Sequence, residues 1–211
     1  MAAIPILHQD DHLLVVHKPA SVLVVNAPGR RGKTVLDLLA DQLGARVYAV
    51  HRLDEGTTGA LVIALTEAGR DAMDPLFREH AVQREYLALV SGRPSPAAGR
   101  IESQLREQDG MVRVVSHGGQ LAITDYETLD RRGRLTLVCC RLATGRRNQI
   151  RVHMQALGCP IAGDRKYGYR ARGDEAFVRP MLHSWRLAFD HPILHGRVAI
   201  EVPPLEPELA P

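Results

Sequence analysis

The chain has 211 residues, enough for one large domain or two small ones with a proper core. Hydrophobic residues make up 45% and charged residues 24%, an ordinary globular balance. The formal net charge of +3 is too small to identify a nucleic-acid partner by itself, and no apolar run approaches the ~18 residues a membrane span needs.

In chain order, short β-type runs are predicted at 13–16, 22–25, 47–50, 60–65, 85–91, 112–115, 123–129, 135–142, 182–189 and 198–202. Gly and Pro punctuate them at Lys18-Pro19, Ala27-Pro28-Gly29, Gly92-Arg93-Pro94, His117-Gly118-Gly119 and Arg132-Gly133. Three helices interrupt the runs. Thr34 with Asp37 makes a capping-box-like start, Asp standing in for the usual Glu or Gln, and Gly44 supplies the stop. The second helix runs over 67–80 with Thr66 as N-cap, and Pro75 predicts a kink or a restart. The third begins after Thr144-Gly145-Arg146 and ends at Leu157. Its Ile150, His153, Met154 and Leu157 share a face, while Arg147, Arg151 and Gln155 lie on another. Residues 203–211 read as an extended Pro-rich tail behind a single domain over 1–202. Many strands and few helices, without βαβ alternation, predict an α+β fold with a large, mostly antiparallel sheet.

Cys139, Cys140 and Cys159 are odd in number and lack CxxC spacing, which argues against a disulfide framework or a structural zinc. No signal peptide is evident, so the cytoplasm is the expected compartment. No GxGxxG or GxxxxGK[ST] occurs, so nothing signals a dinucleotide or nucleotide cofactor. Arginines and lysines cluster at Arg30, Arg31 and Lys33; at Arg131, Arg132 and Arg134; at Arg141, Arg146, Arg147 and Arg151; and at Arg165, Lys166, Arg170 and Arg172. Brought onto one face, such clusters make an electrostatic footprint for phosphates; scattered, they are solvated surface charge.

The stretch with most chemistry is His51-Arg52-Leu53-Asp54, followed by Thr57-Thr58-Gly59 and the apolar run 60–65. A carboxylate between apolar runs needs a partner. As a nucleophile, Asp54 needs only to be ionised, oriented and sheltered from water, and a buried Arg would keep it ionised. Arg151, on the polar face of the third helix, is the candidate. Thr144-Gly145-Arg146-Arg147-Asn148 offers a turn, backbone N–H groups and two guanidiniums, which suits a phosphate as well as it suits an ordinary N-cap.

These residues resemble the RluA-type family of RNA pseudouridine synthases. His51-Arg52-Leu53-Asp54 with Thr57-Thr58-Gly59 is similar to its HRLD-x-x-T-S-G motif, whose Asp is catalytic. The run 83–90 around Tyr86 is similar to its K-x-Y-x-A-x-V strand, and 144–153 to T-G-R-x-H-Q-I-R-V-H. Gly158, Pro160, Ile161, Gly163, Asp164, Tyr167 and Gly168 match G-x-P-I-x-G-D…Y-G, and Leu182, His183, Leu187, Phe189, His191 and Pro192 match the C-terminal motif. The opening, Asp11 to Pro19, matches as well. The resemblance covers about 8–202. Thr58 stands where Ser is usual, Asn148 where His is usual, Arg84 where Lys is common and Ser184 where Ala is usual.

The resemblance implies a stand-alone catalytic domain without an S4 domain, and an active-site cleft across a mixed sheet. It implies isomerisation of uridines in rRNA or tRNA stem-loops, with no cofactor, no metal and no membrane, by a protein expected to be a monomer. Asp54 would act at C1′ of a flipped uridine. Tyr86 would stack on the uracil, Arg151 would pair with Asp54, and Ile150 would wall the base. Arg52 would fill the gap left in the RNA stack. His51 and Thr57 would help to hold the substrate, His51 by positioning rather than as a base. Arg146 and Arg147 would meet phosphates. Target choice would rest on loops such as 26–33 and 165–179. A catalytically inactive RNA-binding module with the same fold is the alternative, and a carboxylate-dependent hydrolase lacks a second paired carboxylate.

Overall fold

A computed structural model describes residues 3–27, 29, 32–171 and 177–211. Pro28, Arg30 and Arg31 of the 26–33 loop and residues 172–176, including Arg172, lie outside the described residues. The described chain carries β1 (Ile6–Gln9), β2 (Leu13–Lys18), α1 (Val35–Leu43), β3 (Tyr48–Ala49), β4 (Thr58–Ala64), α2 (Glu67–Arg78) and β5 (Gln83–Ser91). There follow β6 (Ala98–Gln108), β7 (Met111–Val115), β8 (Gln120–Arg132), β9 (Leu135–Leu142), α3 (Gln149–Ala156), β10 (Leu182–Asp190) and β11 (Arg197–Glu201). This is the α+β class expected. No described helix is long and apolar enough to cross a membrane.

The chain divides into two compact units, Met1–Arg84 with Ser184–Pro204 and Glu85–His183 with Leu205–Pro211. In the first, strands follow the order β1-β2-β4-β10, with β3 on β4 and β11 on β10. All seven residues of β4 are buried, which is why it reads as an unbroken apolar run. Leu13, Val15, Ala60, Val62, Leu187 and Phe189 build one side of this core, and Met73 of α2 closes on it. In the second unit the order is β5-β9-β8-β6-β7, each pair antiparallel. Leu105, Val112 and Ala122 there pack with Val152 of α3 and with Tyr167.

Local signals set most helix ends. Thr34 and Asp37 exchange the reciprocal bonds of a capping box, and Gly44 takes the left-handed C-cap at φ +65°. Those Thr34 bonds hold the Asp37 carboxyl below its usual range. Thr66 caps α2 through the Gly69 N–H at 3.0 Å. The helix runs unbroken through Pro75, so the expected restart does not occur.

Two expectations fail, and strand β6 was not read, for physical reasons. Residues 22–25 form no strand, because the Leu23 and Val24 carbonyls accept from Val35 and Leu36 at 2.8 and 3.4 Å, meeting unpaired amides of α1. Strand β6 escapes the apolar pattern because most of it is exposed or half-buried, with Arg100, Glu102, Arg106 and Glu107 along it; its ladder to β8 holds it. Residues 205–211 are not an extended tail. They pack within the second unit, where residues 207–209 form a 3-10 turn and Leu209 is 0% exposed. Arg179 pairs with Glu206, and Arg132 donates to the Pro207, Glu208 and Ala210 carbonyls. A solvated tail would tolerate truncation of its side chains. Here Leu209→Ala is expected to cost about 2–4 kcal/mol in urea unfolding, and an unchanged midpoint would show that this segment does not contribute to the fold.

Candidate active site

The sequence-predicted residues fall into both units. His51, Arg52, Asp54 and Thr57 belong to the first; Tyr86, Arg146, Arg147, Ile150 and Arg151 belong to the second.

In the first unit, Asp54 is half-buried and opens a turn closed by the Thr57 N–H on the Asp54 carbonyl at 3.0 Å. The turn is pinned from beneath by Lys18. This lysine ends β2, is 0% exposed, and donates Nζ to the carbonyls of Pro19, Glu55 and Thr57 at 2.8, 3.1 and 3.0 Å. The carbonyls of a tight turn are thereby satisfied away from water. Gly59 follows at φ +108°, where a Cβ would collide with the Ser184 carbonyl, so the motif's glycine is required by contact as well as conformation.

His51 Nε2 accepts the Val62 N–H at 2.9 Å, and its ring stacks on Phe77 at 4.4 Å. A nitrogen that accepts a backbone N–H carries no proton, so the hydrogen sits on Nδ1. Desolvation, reinforced by the Arg84 guanidinium, pushes the imidazole down to about 3. His51 is therefore neutral and structural, in line with a positioning role. Arg52 is exposed and, among the described residues, makes no hydrogen bond or ion pair. A structural salt bridge is thus not what holds it there.

In the second unit, Tyr86 lies on β5 opposite Cys140, which lies opposite Tyr126 of β8. Directly opposed residues share a face and alternate along a strand, so Tyr86 shares the face of Thr124. Thr124 bonds to α3, which places Tyr86 and α3 on one side of this sheet. The connection is a buried network around Gln149. Gln149 Oε1 accepts from Thr144 Oγ1 at 2.7 Å and from Arg146 N at 2.9 Å. Its Nε2 donates to Ile123 O and Thr124 Oγ1, each at 2.9 Å. With its oxygen so occupied, the Thr124 hydroxyl donates to His153 Nδ1 at 2.9 Å, and His153 Nε2 donates to Ser103 Oγ at 3.0 Å.

The network alters the phosphate reading of 144–148. The Thr144 hydroxyl and the Arg146 N–H are spent on Gln149, Arg146 Nε donates to Leu121 O at 3.0 Å, and Arg147 pairs with Glu107. Asn148 at φ +54° makes no side-chain cap.

Arg151 is held by its own surroundings. Nε and Nη2 donate to the two oxygens of Asp164 at 2.6 and 2.9 Å, and Nη1 donates to Asn148 Oδ1 at 3.1 Å. The Tyr167 ring lies 4.8 Å from the guanidinium carbon. Asp164 is 1% exposed at its side chain, and Ile150 beside Arg151 is buried. Sequence reasoning matched Asp164, Tyr167 and Lys18 to motifs but gave them no task. Their one signal was position within matched motifs. Among the described residues no group of His, Cys, Asp and Glu is suited to a metal ion.

A sequence profile of the RNA pseudouridylate synthase family matches residues 12–156. The chain is 36% identical over 207 residues to the ribosomal large subunit pseudouridine synthase D of Zymomonas mobilis, spanning 89% of this chain and 65% of that protein. It is also 36% identical to the dual-specificity RNA pseudouridine synthase RluA of Escherichia coli, spanning 94% of this chain and 92% of that one. Among solved structures, human RNA pseudouridylate synthase domain containing 1 superposes with a TM-score of 0.82 at 25% identity, covering 99% of this chain and 88% of its own. Human RNA pseudouridylate synthase domain containing 4 gives 0.75 at 28%, covering 94% and 87%.

The buried histidines make a stability prediction. Burial pushes His153 down to about 4, below the ~6.5 of an unfolded imidazole, so the folded state binds fewer protons in that window. The stabilisation is complete above pH ~6.5 and is lost as pH falls toward 4, by up to about 1.4 kcal/mol per pH unit. Urea unfolding between pH 6 and 5 should show this slope, and His153→Asn should lessen it, leaving the share of His51; an unaltered slope would show that His153 titrates alike in both states.

Proposed function

We propose, from the premise that this chain belongs to the RNA pseudouridylate synthase family, that it converts specific uridines of structured RNA into pseudouridine. The substrate class is a stem-loop of large-subunit rRNA, of tRNA, or of both; among its relatives one is named for the ribosomal large subunit and another for dual specificity. The N1–C1′ bond breaks, the uracil turns, and C5 bonds to C1′ while the C5 hydrogen is given up and N1 gains one. Nothing is oxidised or reduced, so the isomerisation calls for no redox cofactor, nucleotide or metal.

The observation that carries this reading is the turn 54–57. A carboxylate that must meet C1′ needs a rigid seat, and the two bonds from buried Lys18 to carbonyls of this turn provide one. On this reading Asp54 acts at C1′, with Arg151 as its counter-ion and Asp164 holding Arg151 in place. Tyr86 stacks on the uracil and assists proton removal at C5, Ile150 walls the base, and Thr57 and His51 fix the loop around it. Arg52, exposed and without an internal partner among the described residues, is suited to fill the gap in the RNA stack. Arg146 and Arg147 remain near the helix that carries Arg151, and phosphate contacts there would compete with the Leu121 carbonyl and Glu107.

Release of tritium from RNA labelled at uridine C5 tests this directly. The wild type should release label from an rRNA or tRNA stem-loop. Asp54→Asn should lose roughly a thousandfold or more while keeping the wild-type melting temperature. Turnover in Asp54→Ala would overturn the assignment, and binding without release in the wild type would instead support the inactive RNA-binding module. Arg52→Ala should lower turnover about ten- to hundredfold, the value of a few kcal/mol for the flipped state. A drop in melting temperature with unchanged turnover per folded molecule would make Arg52 structural.

A further inference from the structure

Arg151 is a planar group, and fixing it takes more than one contact. Asp164 takes one edge through Nε and Nη2, the Tyr167 ring lies 4.8 Å from its central carbon, and Asn148 Oδ1 takes Nη1 at 3.1 Å. The orientation of Asn148 is itself determined. Its Nδ2 donates to the Tyr167 hydroxyl oxygen at 2.9 Å, and the same oxygen accepts the Val112 N–H at 3.2 Å. With the amide nitrogen committed to Tyr167, the carbonyl must face the guanidinium. Tyr167 is 0% exposed, and its backbone N–H bonds to Asp164 as well. Asn148 also sits at φ +54°, a backbone that asparagine tolerates better than most residues.

We propose that Asn148 and Tyr167 are positioning residues: the relay Val112–Tyr167–Asn148 orients the Nη1 corner of Arg151 for the reaction. The proposal rests on Arg151 serving the isomerisation described above. The charged groups around the relay are Arg151 from α3, Asp164 at the cap of the 3-10 turn 165–167, and Lys166 within that turn, with Lys166 Nζ 6.0 Å from the Tyr167 ring. A neutral amide at position 148 therefore orients Arg151 without adding a titratable group beside it.

Asn148→His separates positioning from mere folding. A neutral imidazole can accept from Arg151 on one nitrogen and donate to Tyr167 from the other; an imidazolium cannot accept. Its kcat should therefore fall as pH drops through the titration of that imidazole, which burial and the Arg151 charge hold below the free value of ~6.5, a limb the wild type lacks. Asn148→Ala and Tyr167→Phe should lose about tenfold in kcat with KM for the RNA stem-loop unchanged. A pH profile of Asn148→His superimposing on the wild type, or wild-type kcat per folded molecule in Tyr167→Phe, would overturn the proposal. A readout that needs no turnover distinguishes its failure from failure of the functional reading. In nitrogen-15 spectra of the whole protein, the Arg151 Nη1 hydrogens should exchange with water several-fold faster in Tyr167→Phe than in the wild type; equal exchange would overturn it.

Discussion

Arg151 owes its fixed place to Asp164. A guanidinium removed from water needs a carboxylate in bidentate register, and a carboxylate as buried as Asp164 needs a cation in return. Breaking such a pair from one side typically costs about 3–5 kcal/mol, because the survivor is left charged and alone. Much of the second unit is arranged around this requirement. The pair ties α3 to the 3-10 turn, that turn presents Tyr167 to the guanidinium, and Tyr167 reaches back to β7 and to Asn148. The helix is only eight residues long, so its stability derives from these tertiary bonds rather than from its own propensity.

The first unit solves a similar problem with a different cation. Lys18 donates to backbone carbonyls, and two of them belong to the turn that carries Asp54. A buried lysine is costly unless its hydrogens are satisfied, and the turn supplies acceptors that would otherwise face the core. Folding and preorganisation are thus the same event: the arrangement that lets Lys18 be buried also fixes the carboxylate's seat. His51 contributes in the same sense, as a neutral acceptor for a β4 amide. Neither His51 nor the buried His153 supplies a proton near neutral pH, since burial holds both well below that range.

The sequence was most legible where local chemistry decides structure. The Thr34–Asp37 box, the Gly44 stop and the apolar run of β4 all appear as read, because each depends on neighbours a few residues away. Strand β6 was hidden because it is held by its ladder and not by an apolar face, and 205–211 because the arginines that dock it lie at 132 and 179. The candidate site was read through motif resemblance, which named Asp54, Tyr86 and Arg151. It was silent on Lys18, Asp164 and Tyr167, whose roles are set by distances across 13 to 39 positions of the chain. The phosphate reading of 144–148 shows the converse: a pattern suited to an anion is largely consumed by internal bonds to Gln149.

The central claim is that a rigidly seated Asp54 acts at C1′ of a flipped uridine. The distance from its carboxylate to that carbon, in a structure with RNA carrying a uridine analogue that cannot isomerise, measures this most directly. The account predicts about 3–3.5 Å, with the target base out of the RNA stack. A target base still stacked in the RNA, or an Asp54 carboxylate separated from C1′ by solvent, would contradict it.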